Sequence, residues 1–228
     1  MVVLGLDTAT WTAAVGVARD DTVLAAASRR AAASHVRMVP ALIDEVLAQA
    51  GLELADVDAV AVSIGPGSFT GLRIGLGLAK GLCYARGLAL VAVPTLEALA
   101  HVAGAPAGAT VCAALDARRR ECWAALFRVG EGGDLIRLGD DFTATPDDLA
   151  ARLPVGAVVV GDAGAAYADA LAPRAAAVLP ADASEPSGGI VARLGARRLA
   201  RGERAEPGTL EPTYVRPPDA QLPHGASR

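Results

Sequence analysis

The chain has 228 residues, of which 53% are hydrophobic and 20% charged, with a formal net charge of -4 and a pI near 5.4. That length buries a real core in one or two domains, and the acidity leaves no general electrostatic footprint for nucleic acid, so RNA contact has to be local or made through a partner. Cys83, Cys112 and Cys122 lack C-x-x-C spacing, which excludes a disulfide framework and a zinc site and makes them small buried hydrophobes of a reducing compartment.

The N-terminus, Met1-Val2-Val3-Leu4-Gly5-Leu6, has no basic region and meets Asp7 at once, so it reads as a first strand and not as a signal peptide. No stretch holds the ~18 uninterrupted apolar residues of a membrane span, and cytoplasmic location is the expectation. Residues 2–6, 13–18 and 22–28 read as three strands with turns between them. A helix follows over 35–50, capped by Ser34 and stopped by Gly51; Pro40 inside it removes one backbone bond. Strand 57–63, a glycine turn, helix 70–85, strand 88–93 and a short helix after Pro94-Thr95 complete the first half. The second half begins again with strands 110–115, 121–129 and 134–142, then helix 146–152, strand 157–160, helix 163–172, strand 176–179 and helix 187–201. Two βββαβα-like units in tandem predict a duplicated α/β fold, with mixed sheets flanked by helices. The predicted units are a first lobe over 1–105, a smaller second lobe over 106–205 whose last helix is a candidate to pack back on the first, and a tail over 206–228. Pro207, Pro212, Pro217, Pro218 and Pro223 make that tail extended.

The richest segment is the turn Ile64-Gly65-Pro66-Gly67-Ser68-Phe69-Thr70-Gly71-Leu72-Arg73. Glycine there lets the backbone pass close to whatever lies above the helix N-terminus, whose unpaired N–H groups favour an anion or a partner's acceptors. It is not a P-loop, because the only lysine, Lys80, follows Ala79. A dinucleotide fingerprint fails too, since Thr70 holds the third glycine position and three strands precede the turn. Pro66 rules out a nucleophile elbow around Ser68. Asp7, Gly65, Gly67, Ser68 and Gly71, with Arg118 from the charged corner Asp116-Ala117-Arg118-Arg119-Arg120-Glu121, are therefore the candidates for a nucleotide or anion turn.

At ~100° per residue, Gly71, Ile74, Gly75, Leu78, Gly81, Leu82 and Ala85 share one face of the helix over 70–85, which is expected to pack on the sheet. Leu72, Leu76, Ala79 and Cys83 share another, flanked by Arg73, Lys80 and Tyr84. In the helix over 35–50, Val36, Val39, Ile43, Val46, Leu47 and Ala50 form a core stripe, while Met38 and Leu42 lie beside Glu45 and Gln49. A surface helix needs one apolar face, so two imply a second buried surface. Met38, Leu42, Glu45, Leu72, Arg73, Leu76, Lys80 and Cys83 are the candidates for a partner interface, built as a four-helix bundle with another chain.

Val3-Leu4-Gly5-Leu6-Asp7-Thr8-Ala9-Thr10, Ser34-His35, the glycine run, Ala79-Lys80-Gly81-Leu82, Pro94-Thr95-Leu96-Glu97-Ala98-Leu99, Asp116-Ala117-Arg118-Arg119 and Tyr214-Val215-Arg216 together resemble the bacterial TsaB (YeaZ) family. The resemblance implies two ribonuclease-H-like lobes of the actin/Hsp70-like ATPase superfamily. It also implies a non-catalytic partner and activator of the TsaD transferase in making threonylcarbamoyladenosine beside the tRNA anticodon. TsaE is the third component; the chain is a homodimer when alone and meets tRNA only through the complex. No cofactor of its own is implied, and ATP or ADP is placed, if anywhere, at the interface with TsaD. Thr95 and Leu99 stand where the paralogue carries a metal-binding histidine pair, and neither side chain replaces an imidazole at a metal. His35, His101 and His224 are scattered, so no metal site and no catalytic residue is expected. The Asp7 turn also lacks the phosphate-admitting glycine of the superfamily. The alternatives are a metal-dependent glycoprotease-like hydrolase, a stand-alone ATPase, and a direct tRNA-binding protein.

Overall fold

Strands β1 (Val2–Asp7), β2 (Thr12–Arg19) and β3 (Thr22–Arg30) form an antiparallel meander, and β4 (Ala59–Ser63) and β5 (Ala89–Val93) add in parallel, giving the order β3-β2-β1-β4-β5. These relations come from a computed structural model that describes residues 1–30 and 35–214. The cap Ser34, His224, Val215-Arg216 and the prolines at 217, 218 and 223 lie outside the described residues. β1 and β4 are buried along their whole length, as strands covered by helices on both faces must be. On one face lie helices α1 (His35–Gln49) and α2 (Phe69–Arg86), which close a core of Leu4, Leu6, Val15, Val46, Val60 and Leu76.

Helix α3 (Thr95–Val102) follows β5 in the chain but packs against the second sheet. That sheet contains β6 (Thr110–Arg118), β7 (Glu121–Val129), β8 (Leu135–Arg137), β9 (Phe142–Ala144), β10 (Ala157–Val160) and β11 (Ala175–Val178), in the order β11-β10-β6-β7-β8 with β9 also on β7. Leu96, Leu99 and Ala100 of α3 share a core with Val111, Ala113 and Phe127. The other face carries α4 (Pro146–Arg152), α5 (Asp162–Ala166) and α6 (Ala168–Leu171), with Leu149, Leu153 and Leu171 over Val159. The single strand expected over 134–142 is two strands, because Gly139 at φ 97 turns the chain between them. The single helix expected over 163–172 is also broken, at Tyr167, whose φ of -120 is not helical.

Helix α7 (Gly188–Ala200) ends the second half of the chain yet lies on the free face of the first sheet, where Val191 and Leu194 meet Val3, Ala59 and Val91. Its approach is close because glycine faces glycine. A Cβ at Gly5 would sit 2.2 Å from the Gly188 carbonyl oxygen, and one at Gly188 would sit 2.2 Å from the Val15 carbonyl carbon. Gly188-Gly189 opens the helix, with Ser187 Oγ accepting from Ile190 N at 3.3 Å. The lobes thus exchange their last helices, and the Arg198–Glu97 ion pair at 2.8 Å ties α7 to α3. Beyond α7 a strap runs back over the edge of the first sheet. Ala205 N donates to Leu90 O at 2.8 Å and Thr213 N to Ile64 O at 2.7 Å, which pins this part of the chain to the first sheet.

Candidate functional site: an interlobe cleft and the outer face of helix α2

The glycine turn leaves β4 and enters α2 where the sequence places it, one residue before the expected helix start. Ile64 N donates to Val93 O at 3.0 Å, Gly65 N to Thr95 Oγ1 at 2.9 Å, and Thr95 N returns a bond to Gly65 O at 2.9 Å. Thr95 therefore latches the turn to α3, and Leu99 is core. Ser68 caps α2, its Oγ accepting from Gly71 N at 3.3 Å.

What the glycines make room for is the chain itself. An added Cβ at Gly67 would lie 2.5 Å from Ala9 O, at Gly71 2.0 Å from Thr8 O, at Gly75 2.2 Å from Thr8 Oγ1, and at Gly65 2.4 Å from Thr213 O. Ser68 N donates to Ala9 O at 2.7 Å and Thr8 Oγ1 to Gly71 O at 2.8 Å. Asp7 is buried, with Oδ2 accepting from Ser63 Oγ at 2.6 Å and Oδ1 from Ala9 N at 2.9 Å. Desolvation pushes its carboxyl above the usual range, and the bonds from Ser63 and Ala9 oppose that push. The anion reading of Asp7, Gly65 and Gly71 is thus corrected, because the β1–β2 turn and the strap fill the space beside them, whereas Gly67 and Ser68 line an open cleft.

Arg118 lines one cleft together with Gly67 and Ser68. The β6–β7 turn holds Arg118, Arg119 and Arg120 at φ 68, 54 and 59, a left-handed run with no glycine in it. Asp116 Oδ1 accepts from Arg118 N at 2.8 Å, and Asp162 Oδ1 accepts from Asp116 N at 2.8 Å. Desolvation, with the charge of Asp116 adding to it, raises the Asp162 carboxyl, although bonds from Asp116 N and Ala163 N counter this. The Arg118 guanidinium stands 5.0 Å from the ring centroid of Trp11, which projects from the β1–β2 turn of the other lobe. Between the two turns lies a cleft of about 270 Å³, walled by Trp11, Trp123, Phe69 and Tyr214. Phe69 and Tyr214 stack with centroids 5.1 Å apart; Arg73 lies 4.0 Å over Phe69 and donates from Nε to the Tyr214 hydroxyl at 3.1 Å. Sequence reasoning missed these aromatics, which come from a turn, a strand, a helix start and the strap. The one signal is position, Trp11 and Phe69 each lying in or beside a turn.

Gly71 and Gly75 are buried as the periodicity reading expects, but the rest of the two faces of α2 is exchanged. Leu72, Leu76 and Cys83, and Leu42 on α1, are 1%, 5%, 3% and 1% exposed and belong to the chain's own interior. They are therefore corrected from interface candidates to core, because α2 turns that side down onto β4 and α1. Val36, expected in the core, is 60% exposed. Met38, Glu45 and Lys80 are half-buried and Arg73 is exposed, so these four keep a place on the surface. Glu45 accepts from Arg29 at 2.6 Å. The outward side of α2 carries Gly77 and Gly81, both exposed, between half-buried Ile74, Leu78 and Leu82 and the 93% exposed Tyr84. A Cβ at either glycine would meet nothing within 4 Å.

These features define a class: a duplicated two-lobed protein of the actin/Hsp70-like ATPase fold. At 11% identity the same fold occurs in component A of the (R)-2-hydroxyglutaryl-CoA dehydratase of Acidaminococcus fermentans, with a TM-score of 0.55 over 88% of this chain and 99% of that one. The ATP that this class implies does not fit against Gly71 and Asp7, where Thr8 and Ala9 take up the space. The family model described as TsaD, tRNA N6-adenosine threonylcarbamoyltransferase, matches residues 27–172. YeaZ from Pseudomonas aeruginosa superposes with a TM-score of 0.80 at 27% identity, over 94% of this chain and 99% of that one. The tRNA threonylcarbamoyladenosine biosynthesis protein TsaB of Escherichia coli is 38% identical over 134 residues, a match spanning 58% of each chain. An uncharacterized protein of Mycobacterium tuberculosis is 36% identical over 225 residues, covering 96% of this chain and 93% of that one. The chain belongs to this family, among the TsaB (YeaZ) proteins.

Proposed function

We propose that this chain works in tRNA threonylcarbamoyladenosine biosynthesis as a non-catalytic partner and activator of a TsaD transferase, docking through the outer face of α2. TsaE is the third component of the assembly, tRNA is met through the complex, and the same face pairs two copies when the chain is alone. Family membership supports the pathway, and Thr95 and Leu99, committed to the turn and the core, support the non-catalytic role. The observation that carries the docking surface is the pair Gly77 and Gly81. A mid-helix glycine costs about 1 kcal/mol against alanine, and these two return nothing inside the chain, unlike Gly71 and Gly75 under Thr8. Their use is to let another backbone come close, with Ile74 and Leu78 packing beside it.

The same fact supplies a clean test. Gly81→Arg has open space in the monomer, so it should melt no lower than the parent. Co-elution with TsaD should be lost, and threonylcarbamoyl transfer by a mixture of a TsaC-type synthase, TsaD and TsaE should fall at least ten-fold. Unchanged co-elution would remove α2 from the interface, and equal product with the chain omitted would end the activator reading.

A further inference from the structure

Two adjacent arginines of α7 reach from the first lobe toward the second. Nε and Nη2 of Arg197 form a fork on the carboxylate of Asp21 in the β2–β3 turn, with Nη2 to Oδ2 at 2.8 Å, while Nη1 donates to Asp134 Oδ1 at 2.7 Å. Asp134 precedes β8 of the second sheet, so one guanidinium holds both lobes. Arg198 donates through Nη2 to both carboxylate oxygens of Glu97 on α3, at 3.0 and 2.8 Å, and through Nη1 to Glu203 at 3.2 Å. Arginine suits this use, because its planar fork fixes the geometry to a carboxylate and its charge persists at any ordinary pH.

Helix α7 does not need these bonds to stay on the first sheet. Gly188 and Gly5 bring backbone against backbone there, and Val191, Leu194 and Leu199 are buried with Val3, Ala59 and Val91. What is left for the arginines to hold is the second lobe. Helix α3 sends Leu96 and Leu99 into the core of the second sheet and contributes the small Ala98 to the core under α7. A joint made with a methyl group resists sliding weakly, and sliding of packed helices is how lobes shift against each other. Beside the joint lies a cavity of about 110 Å³ lined by Glu97, His101, Asp134, Leu194, Arg197 and Arg198, which gives it room to move. Burial, with the charges of Arg193 and Arg197 adding to it, pushes His101 down to about 4, so a neutral ring faces the two arginines. These ion pairs lie at the opposite end of both sheets from the aromatic cleft. The β2–β3 turn sits at the start of β1, where Asp20 N donates to Met1 O at 2.9 Å, and the segment before Asp134 sits at the start of β6, where Val129 N donates to Ala109 O at 2.9 Å. Trp11 and Arg118 meet instead beyond the far ends of β1 and β6.

We propose that Arg197 and Arg198 form an interlobe clasp which, with the Arg118–Trp11 contact at the other end of the sheets, locks the two lobes in one orientation and so sets the width of the cleft. The lock can be released. Asp21 and Asp134 are 59% and 62% exposed, so dissolved ions or the charges of a bound partner compete for Arg197. Release at the clasp lets α3 slide on α7 while the core of each lobe stays whole. The inference stands independently of the TsaD reading, since it is tested on the isolated chain.

The experiment measures the distance between the lobes of the full chain by pulsed electron spin resonance. Spin labels go on Ala55→Cys and Val155→Cys, exposed positions shortly before β4 and β10, while Cys83, Cys112 and Cys122 are buried and stay unlabelled. One narrow distance distribution is expected for the parent. Arg197→Met and Asp134→Asn, which cut the same bond from its two sides, should each broaden it about two-fold or more, as a second arrangement becomes populated. Adding Arg118→Gly, which suits the backbone φ of 68, should broaden it further. Arg201→Met, next to the clasp but outside its bonds to the second lobe, should leave it narrow. Melting curves separate a loosened joint from an unfolded lobe, and should Arg197→Met fail to fold, Asp134→Asn carries the same comparison from outside α7. A parent distribution that is already broad, an unchanged width in both clasp variants and in their combinations with Arg118→Gly, or equal broadening by Arg201→Met would overturn the proposal.

Discussion

The β1–β2 and β6–β7 turns occupy equivalent places in the two lobes, and they have been put to opposite uses. Each follows a strand that reaches an aspartate, Asp7 or Asp116, and in each lobe a positive-φ glycine follows the neighbouring parallel strand, Gly65 at φ 120 or Gly161 at φ 116. The first turn is buried: Asp7, Thr8 and Ala9 are enclosed, and their polar groups bond to Ser63, Gly71 and Ser68. The second is exposed, and its three arginines carry backbone strain. Duplication supplied one geometry twice; burial locked the start of the first turn, Asp7 to Ala9, while its end, Trp11, and the second turn stay exposed at the cleft.

Substitutions can break this contrast. The largest effect is expected at Gly71→Ala, whose Cβ would lie 2.0 Å from Thr8 O, a backbone atom with no room to yield. Overpacking of that kind should destabilise by about 3 kcal/mol or more, read as a drop in the denaturation midpoint; a loss under 1 kcal/mol would mean that the first turn is not locked. Next comes Ser63→Ala, which leaves Asp7 Oδ2 without its 2.6 Å donor in a fully buried site. An unsatisfied buried acceptor costs about 1–3 kcal/mol, and urea titration should show it. The smallest effect belongs to the second turn: Arg120→Gly at φ 59 relieves left-handed strain and should change stability by between zero and about 1 kcal/mol in the favourable direction. A loss there instead would show that the second turn is as tightly built as the first.

Much of the fold was legible in the sequence because it rests on local signals. The bounds of β7, α4 and β10 match the periodicity and capping reading, and Pro146 after the cap Thr145 explains why α4 begins where it does. The candidate site was located and then misread. Glycine at 65, 67, 71 and 75 announces a close approach without saying what approaches, and the body is Thr8, Ala9 and Thr213 of the same chain. Two apolar stripes on α2 announce two buried surfaces, yet a helical wheel cannot say which stripe faces β4; Leu72 and Leu76 took the inside, and Gly77 and Gly81 the outside. The aromatic cleft has no spacing to find, since Trp11 and Tyr214 are brought together only by the strap and the lobes.

By itself the sequence determined the tandem βββαβα order, the glycine turn at the mouth of α2, the family and the absence of imidazoles at Thr95 and Leu99, because each of these is written in residue type and short-range spacing. Tertiary structure alone decided that α3 joins the second sheet, that the strap closes over Gly65, and that four aromatics and Arg118 share one cleft, whereas the return of α7 to the first lobe was already a candidate in the sequence. Those relations depend on which surfaces meet across the sheets, and apolar burial, being non-directional, leaves that choice to the whole packed chain.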